Sequence, residues 1–441
     1  MRALLFLFAA LTLAAQPVDR SKPPVTPAVR AWKAPPVYET ALPNGMTVVL
    51  VEDNRLPLVT MRLAFPCGNR RDPKNLPGVA SAVADLLTHG TPERLYSQIN
   101  ETVERIGASV NATSGADQIV VAGSVIAENL PALLDVVSDV ARNAEFPDLE
   151  VSLYRQNRGR SLARQRAQPA NAANEAVRLA LFGDHPYSHL GPTAASLGRI
   201  DRQALLAYRD TWIVPNNAFL ILVGRLPARA PALKLIADRF GSWPRRPLPE
   251  TADPAPPAPK RRLILIDRPG SMQAEIHTGR IAAMQRDADY FPMVVANEVV
   301  RAESAGFDEA GVVGLVSQAR NDTAGDTLHA MTDRLGRIAK EPPAPQELAD
   351  AKSRAIGSFL MQIEPQDGLA DGLVMLRVLH LPADFIETYT ARIEAVEPGQ
   401  VQQAARKYLA SGDDAIVVVG DAAKLQPQLR TIGDFEIVKA K

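Results

Sequence analysis

Two stretches of 25 residues decide how this chain folds. Residues 200–224 read IDRQALLAYRDTWIVPNNAFLILVG, and residues 396–420 read VEPGQVQQAARKYLASGDDAIVVVG. They align without a gap at an offset of 196 residues. Each combines apolar residues at helical spacing, a turn, and a short apolar run that ends in glycine. Each stretch therefore predicts a helix followed by a strand, and their similarity predicts an internally duplicated chain.

The similarity extends to the flanking segments. A long helix after a proline is predicted in residues 146–167 and again in residues 343–364. Each half opens with two apolar strands, which read MTVVLVED and LVTMRLAF in the first half and RLILID and AEIHTGRIA in the second. The same order of strands and helices thus occurs twice. It predicts an α+β protein made of two homologous α/β-sandwich domains.

Composition and charge exclude several classes of protein. The 441 residues include 49 basic and 49 acidic side chains, 46% are hydrophobic, and the mean hydropathy is -0.07. A balanced charge gives no field that would attract nucleic acid or an anionic membrane. The apolar fraction is too high for a disordered chain. A single cysteine, Cys67, excludes an internal disulfide framework.

The N-terminus has the features of a secretory signal peptide. In MRALLFLFAALTLAA (1–15), Arg2 precedes an apolar core, and small residues follow where cleavage would occur. The core is too short to span a bilayer, and an uncleaved anchor is the alternative. We expect an exported mature protein, periplasmic or secreted.

Proline-rich composition marks the predicted domain boundaries. Residues 244–259 contain seven prolines in sixteen positions, which is typical of a semi-rigid linker. The predicted organisation is a signal peptide, a proline-rich leader, an N-terminal domain, a linker, a C-terminal domain and a tail. These segments are residues 1–15, 16–37, 38–243, 244–260, 261–430 and 431–441.

The segment PGVASAVADLLT (77–88) predicts a helix with an apolar stripe and an opposite stripe that carries Ser81, Ala84 and Asp85, and HGT (89–91) follows as a helix end capped by glycine. Together with motifs elsewhere, it is similar to the pitrilysin/insulinase-type zinc metallopeptidases. These are the inverted zincins, which include the mitochondrial processing peptidases. The other matching stretches are LPNGMTV (42–48), CGNRRDP (67–73), IGASVNAT (106–113), HPY (185–187), YRDTWIVPNNA (208–218), DRPGSMQA (267–274), ELADAK (347–352) and VVVGD (417–421). The resemblance implies two homologous domains that face each other across a cavity, as one half of a clamshell.

The catalytic motif of the resembled family is missing at the matching positions. That family uses H-x-x-E-H, in which two imidazoles one turn apart hold zinc and the glutamate activates the bound water. The matching residues here are Ser81, Ala84 and Asp85. The resemblance also implies a glutamate ligand on the later long helix, where no acidic residue occurs between Glu150 and Glu175. We therefore expect no catalytic residue and no resident metal, with zinc present only in a catalytic partner.

An improvised metal site is the alternative. Asp85 and His89 would share a face if the helix continued for one more turn, and His185 and His189 have the same spacing but enclose a proline in a predicted loop. Cys67 lies at a strand end with no histidine nearby in sequence, so we expect a buried structural thiol.

The second half also departs from the resembled family. Active members hold substrate with an arginine and a tyrosine from a segment that looks shortened here, around residues 301–311. Arg301 remains, but no tyrosine occurs between Tyr290 and Tyr389. The glycine-rich loop of the non-catalytic processing subunit is missing as well.

The peptide-binding side of the fold looks intact. Residues 106–114 and 118–126 resemble the family's substrate-side edge strand and its neighbour, which makes Asn111 and Ala112 candidate substrate-binding residues. An ordinary hairpin with a polar face is the alternative. The arginines of the later helix are interpreted as a solvated surface, with a basic patch facing substrate or partner as the alternative. They are Arg155, Arg158, Arg160, Arg164 and Arg166.

These observations predict an exported, non-catalytic member of the resembled family. Its expected partner is an active H-x-x-E-H relative, with which it would form a heteromeric peptidase acting on peptides. A non-enzymatic peptide-binding or envelope scaffold protein is the first alternative, and an active zinc metalloendopeptidase is the second.

Overall fold

The computed structural model describes residues 32–251, 254–258, 260–301, 303–306, 310–410 and 412–440, with only the backbone described at 303–306. The predicted signal peptide and residues 16–31 of the proline-rich leader lie outside these ranges. The strands are β1 (Val37–Ala41), β2 (Thr47–Glu52), β3 (Leu58–Phe65), β4 (Ser109–Ser114), β5 (Ile119–Ile126), β6 (Phe219–Gly224), β7 (Arg262–Asp267), β8 (Gln273–Ala282), β9 (Glu303–Gly306), β10 (Gly311–Gly314), β11 (Val316–Arg320), β12 (Ala415–Gly420) and β13 (Glu436–Lys439).

The α-helices cover both halves of the chain. They are α1 (Val79–Leu86), α2 (Tyr96–Arg105), α3 (Leu130–Asn143), α4 (Asp148–Arg166), α5 (Pro169–Phe182), α6 (Ala194–Leu197), α7 (Arg202–Trp212), α8 (Arg229–Phe240), α9 (Tyr290–Val300), α10 (Ala324–Lys340), α11 (Pro345–Ile363), α12 (Gln366–Val378), α13 (Phe385–Glu394), α14 (Pro398–Ala404) and α15 (Ala422–Leu429). Among the described residues, no helix is both long enough and apolar enough to cross a bilayer.

The first sheet has six strands in the order β1-β2-β6-β3-β5-β4. β2 pairs in parallel with β6, from Thr47 opposite Phe219 to Glu52 opposite Gly224. β3 is antiparallel to both β6 and β5. Among the described strands, β4 pairs only with β5 and forms one edge of the sheet.

The second sheet repeats this arrangement in the order β13-β7-β12-β8-β10-β9, and β11 also pairs with β8. β7 pairs in parallel with β12, from Arg262 opposite Ala415 to Asp267 opposite Gly420, and β12 is antiparallel to β8. Phe219 and Ala415 begin equivalent strands and differ by 196 in number. The predicted duplication and the α+β two-domain fold are therefore confirmed.

The second half is shorter in one place. In the first half, 22 residues (87–108) separate α1 from β4, and they include α2. In the second half, β9 begins at Glu303, three positions after α9 ends at Val300. This spacing leaves no room for a counterpart of α2, which accounts for the shortened segment noted in the sequence.

The first sheet has its main core on one face. Alternate residues of β3, from Val59 to Phe65, pack with Val79, Val83 and Leu86 of α1 and with helices α3, α7 and α8. The predicted apolar stripe of α1 therefore faces the core. Ser81 and Asp85 of the opposite stripe are not part of this core, whereas Ala84, which was predicted to share their stripe, is buried in it.

Each sheet is covered on its other face by a helix from the opposite half. α12 packs on β3 and β6, whereas α5 packs on β8 and β12. Consistent with this cover, β12 is buried at every residue and β6 at every residue except Phe219. Continuous apolar strands are typical of sheets that are covered on both faces. The two halves thus exchange helices.

Candidate functional site

The start of α1 is fixed by a carboxylate from the preceding loop. Asp72 accepts hydrogen bonds from the backbone N–H groups of Gly78 and Ala80, at 2.6 and 2.7 Å. Gly78 has φ +95°, and a Cβ added there would lie 2.3 Å from Pro192, so only glycine fits. Burial raises the pKa of the Asp72 carboxyl to about 6, although the hydrogen bonds that it accepts oppose this shift.

The three residues at the expected motif positions have different environments. Ser81 is half-buried, and its Oγ accepts a hydrogen bond from Asn69 Nδ2 at 3.0 Å. Ala84 is buried. Asp85 is exposed as a residue, but neighbouring protein atoms partly desolvate its carboxyl. This desolvation raises the pKa of its carboxyl, although electrostatic interactions with Arg158 and His89 oppose the shift.

Tyr154 and Arg158, one turn apart on α4, lie opposite Asp85. A Cβ added at Gly191 would lie 3.6 Å from Arg158 Nη2 and 4.0 Å from Ser81 Oγ, so the guanidinium points toward α1. Arg158 Nε and Tyr154 Oη are both buried, and neither has a hydrogen-bond partner among the described residues. We call Ser81, Asp85, Tyr154, Arg158 and Gly191 the α1–α4 site.

The structure corrects one interpretation of the arginines on α4. Arg160, Arg164 and Arg166 are exposed, as expected for a solvated surface, but Arg155 and Arg158 are half-buried, and Arg158 contributes to the α1–α4 site. Sequence reasoning missed Tyr154 as a site residue, and it included Arg158 only in the alternative of a basic patch facing substrate or partner. The available signal was their i, i+4 spacing on the helix where the resemblance placed a metal ligand.

The histidines near this region are engaged elsewhere. α1 ends at Leu86, so His89 is not on its final turn. His89 Nδ1 lies 2.8 Å from Glu150 Oε2, and the ring stacks on Tyr96 with the centroids 4.1 Å apart. His185 begins a short 3-10 turn and contacts the carbonyl of Pro254, as the loop prediction implies.

Cys67 is fully buried, as expected for a structural thiol. Burial raises the pKa of the Cys67 thiol to about 12, so the reactive thiolate is disfavoured at neutral pH.

The residues of the α1–α4 site do not fit a zinc ion. Zinc in proteins is held by thiolate, imidazole and carboxylate ligands, commonly four in a tetrahedron. Asp85 is the only such ligand in the α1–α4 site, and the cation of Arg158 lies within its electrostatic reach. Across the described ranges, no group of three or more His, Cys, Asp and Glu side chains is close enough to hold a metal.

The candidate substrate strand lies beside this site. β4 is an edge strand in contact with α1, and Asn111 is exposed while Ala112 is half-buried. Ser114 Oγ at the end of β4 donates a 3.4 Å hydrogen bond to Asn69 Oδ1. Asn69, which also bonds Ser81, therefore connects the edge strand to the α1–α4 site.

The second half contains an aromatic cavity of about 400 Å³ near the shortened segment. Tyr290 and Tyr389 both line it, and the Tyr389 ring stacks on Phe359 with the centroids 3.8 Å apart. Arg301 is exposed at the end of α9 with φ +53°. It is not among the residues described as lining the cavity.

Two sequence models of one peptidase family match the chain. Residues 47–190 match the model described as insulinase (peptidase family M16), and residues 199–355 match the model described as peptidase M16 inactive domain.

Individual relatives and solved structures agree with these matches. The chain is 20% identical to a probable mitochondrial-processing peptidase subunit beta of Arabidopsis thaliana, over 88% of this chain and 79% of that protein. It is 21% identical to an uncharacterised zinc protease of Streptomyces coelicolor, over 85% of this chain and 87% of that protein. The crystal structure of a peptidase M16 inactive domain from Pseudomonas fluorescens superposes with a TM-score of 0.81 at 23% identity, covering 87% of this chain and 98% of that one.

Proposed function

Because this chain belongs to the insulinase family of M16 peptidases, we propose that it is an exported, non-catalytic member that pairs with an active relative and binds peptides. In this proposal the partner carries H-x-x-E-H and the zinc ion. This chain supplies the other wall of a two-chain clamshell and holds extended substrate along β4.

The observation that carries the proposal is the composition of the α1–α4 site. At the positions where the sequence resemblance places two histidines and a glutamate, the chain has Ser81, Ala84 and Asp85. Arg158 turns a cation toward the same space. A cation in that position repels a metal ion, so the fold is retained while the chemistry of a metallopeptidase is not supported.

Zinc content tests the non-catalytic part of the proposal. The purified mature chain is dialysed against a weak chelator, and zinc per chain is measured by mass spectrometry. We expect far less than one zinc per chain and no peptidase activity. About one zinc per chain, retained after dialysis, would restore the alternative of an active metalloendopeptidase.

A variant that restores the three residues of H-x-x-E-H tests the role of α4 in the absence of zinc binding. The triple variant Ser81→His, Ala84→Glu and Asp85→His is expected to remain inactive, because α4 has no carboxylate after Glu150, which is paired with His89, and still presents Arg158. Substantial activity from the triple variant would contradict this account of α4.

The partner is tested by co-purification. The tagged chain is expressed in its own host from its own gene, and proteins that co-purify are identified. We expect an M16 relative that carries H-x-x-E-H. Repeated recovery of the chain without such a relative would favour the scaffold alternative.

An exposed apolar surface beside the site supports a partner on this face. Leu149 and Leu153 of α4 are exposed, Leu149 by 69% of its surface, and Leu95 and Tyr96 at the start of α2 are exposed as well. His89 contacts both Tyr96 and Glu150, which brings the two helices together. Exposed apolar clusters of this kind often mark protein contacts.

This surface gives a matched test. The double variant Leu149→Ser and Leu153→Ser should lose the partner while its melting temperature is nearly unchanged. Met361→Ser, an equally exposed apolar position on α11, is the control and should keep the partner. Equal partner recovery from both variants would place the contact elsewhere.

A further inference from the structure

We propose that Tyr154 and Arg158 bind a carboxylate group of a peptide that lies along β4. The inference rests on the proposed peptide-binding role and names the chemical group that is recognised. Neither Tyr154 nor Arg158 lies at a position that matches H-x-x-E-H.

The first observation is a pair of unsatisfied donors. Tyr154 is only 8% exposed, yet its hydroxyl has no hydrogen-bond partner among the described residues. Arg158 Nε, one turn further along α4, is also buried without a partner. An unmade hydrogen bond at a buried donor is costly, so two on one face indicate that a ligand supplies the acceptor.

The second observation is the chemistry of the two donors. A guanidinium offers a planar fork of N–H groups that matches a carboxylate. Burial raises the pKa of the Tyr154 phenol, so its hydroxyl stays protonated and can donate to the same anion. The rest of the Arg158 side chain is partly open to solvent, which leaves a ligand a path of approach.

The third observation is the connection to the edge strand. Asn69 bonds Ser81 in the α1–α4 site and accepts a hydrogen bond from Ser114, the last residue of β4. An extended peptide added to the free edge of β4 would therefore reach the donors near one end of its path. The carboxylate is either the C-terminus of the peptide or an acidic side chain.

The charge of Asp85 gives a second test, because its removal should change anion binding in the opposite direction to removal of the Arg158 charge. Its carboxylate is close enough to interact electrostatically with both Arg158 and the Tyr154 hydroxyl, but it forms no salt bridge within the described residues. A bound anion would be repelled by this charge. Removing the charge should therefore strengthen binding, whereas removing the charge of Arg158 should weaken it.

The experiment uses the full mature chain and a competition between peptide pools. Octapeptides of random sequence without Asp or Glu are prepared as an isotope-labelled free-acid pool, a C-terminal amide pool, and an amide pool with one fixed internal glutamate. The chain is equilibrated with equimolar pools, and retained peptides are counted by mass spectrometry. The variants are Arg158→Gln, Tyr154→Phe, Asp85→Asn and the control Arg160→Gln, which alters an exposed arginine on the same helix.

We expect the wild type to prefer a carboxylate-bearing pool over the plain amide pool by roughly 10-fold, since tenfold is a typical effect of one charged hydrogen bond. Arg158→Gln should bring this ratio close to one, Tyr154→Phe should lower it about 3-fold, and Asp85→Asn should raise it about 2-fold. Arg160→Gln should leave it unchanged. Preference for the free-acid pool identifies the C-terminus, and preference for the internal-glutamate pool identifies a side chain.

Two results overturn the inference. One is retention of all pools with equal affinity, which removes carboxylate recognition but leaves peptide binding by this chain intact. The other is retention of no pool by the wild type. Circular dichroism melting of each variant shows whether a lost preference reflects unfolding. The zinc and partner measurements described above judge the proposed function separately from either result.

Discussion

Two polar contacts, each made by a buried residue of the sheet, hold the exchanged helices on the sheets. Arg62 of β3 is buried, and its Nε lies 2.6 Å from Asp371 Oδ1 of α12. In the second sheet, His277 Nδ1 lies 2.9 Å from Asn174 Oδ1 of α5, and its Nε2 lies 2.8 Å from Glu275 Oε1. A buried polar group costs free energy unless it is paired, so these contacts favour one position of each helix on its sheet.

The Arg62 contact leads to the first prediction. Asp371→Ala leaves a buried guanidinium with weaker acceptors, and we expect the free energy of unfolding to fall by about 1–2 kcal/mol. The expected loss of stability is modest because the Asp371 side chain is 58% exposed, and water screens its charge. Urea denaturation measures the change. Asp333→Ala, at an exposed position on α10, is the control and should have almost no effect; an equal loss in both variants would contradict the assigned role.

Asp72 leads to a pH-dependent prediction. Its folded pKa of about 6 lies above the ordinary value of 3.8 because burial disfavours the charged form. A raised carboxyl pKa means that the folded state binds more protons, so stability is lost as pH rises from about 4 to 6. The loss is at most about 3 kcal/mol for a shift of about two units.

The measurement for Asp72 is a difference between two proteins. Melting curves of the wild type and Asp72→Asn are compared from pH 4 to pH 7, so that other titrating groups cancel. The stability of the wild type relative to Asp72→Asn should fall across pH 4–6 and then level off. A relative stability that rises with pH would mean that the hydrogen bonds from Gly78 and Ala80 outweigh burial.

At the scale of elements, the exchange of α5 and α12 is the main finding. A helix that is amphipathic in sequence must cover an apolar face, but its periodicity does not say which face. α5 follows α4 directly in the chain and still packs on the second sheet, where Val177 and Leu181 join the core with Val417 and Val419 of β12. Long-range packing therefore decides the position of this helix.

Gly279 of β8 tests this packing. A Cβ added at Gly279 would lie 2.4 Å from Val177 Cγ1 of α5. Gly279→Ala should therefore lower the free energy of unfolding by about 1–3 kcal/mol. Adding Val177→Ala should recover part of the loss, because the smaller side chain makes room.

The matched control for this pair is Gly336→Ala on α10, where an added Cβ has no neighbour within 4 Å. Its effect should add to that of Val177→Ala without coupling. Strict additivity of the Gly279 and Val177 changes, measured by urea denaturation, would show that α5 does not pack on β8 in solution.

At the scale of the whole molecule, residues 34–441 form one compact unit even though the chain contains two sheets. The described residues of the proline-rich stretch 244–260 form neither helix nor strand. Helix exchange, rather than the linker, holds the halves together. The domain boundaries predicted from composition stay predictions.

Cutting the linker tests this view of the molecule. A protease site placed among the exposed residues 245–250 should be cleaved without separating the halves, because each half still supplies a helix to the sheet of the other. The cleaved protein should elute from gel filtration at the position of the intact chain. Two separate peaks without denaturant would show that the exchanged helices contribute little to holding the halves together.

Local pattern was sufficient for much of the fold. The apolar run of β3 and the opposed stripes of α1 are patterns that a short segment carries alone, and they predicted these elements, while the match at an offset of 196 residues predicted the duplication. The edge position of β4 was also indicated, because residues 106–114 resemble the family's edge strand and residues 118–126 resemble the strand next to it.

The amino-acid sequence by itself determined the duplicated α+β fold, the family, and the absence of H-x-x-E-H from this chain. Only the tertiary structure decided that α5 and α12 change places, that the spacing after α9 excludes a counterpart of α2, and that Tyr154 and Arg158 face Asp85. The physical reason is that side-chain periodicity is a local property. Which surfaces meet, and which polar groups are left unpaired when they do, depends on packing between residues far apart in the chain.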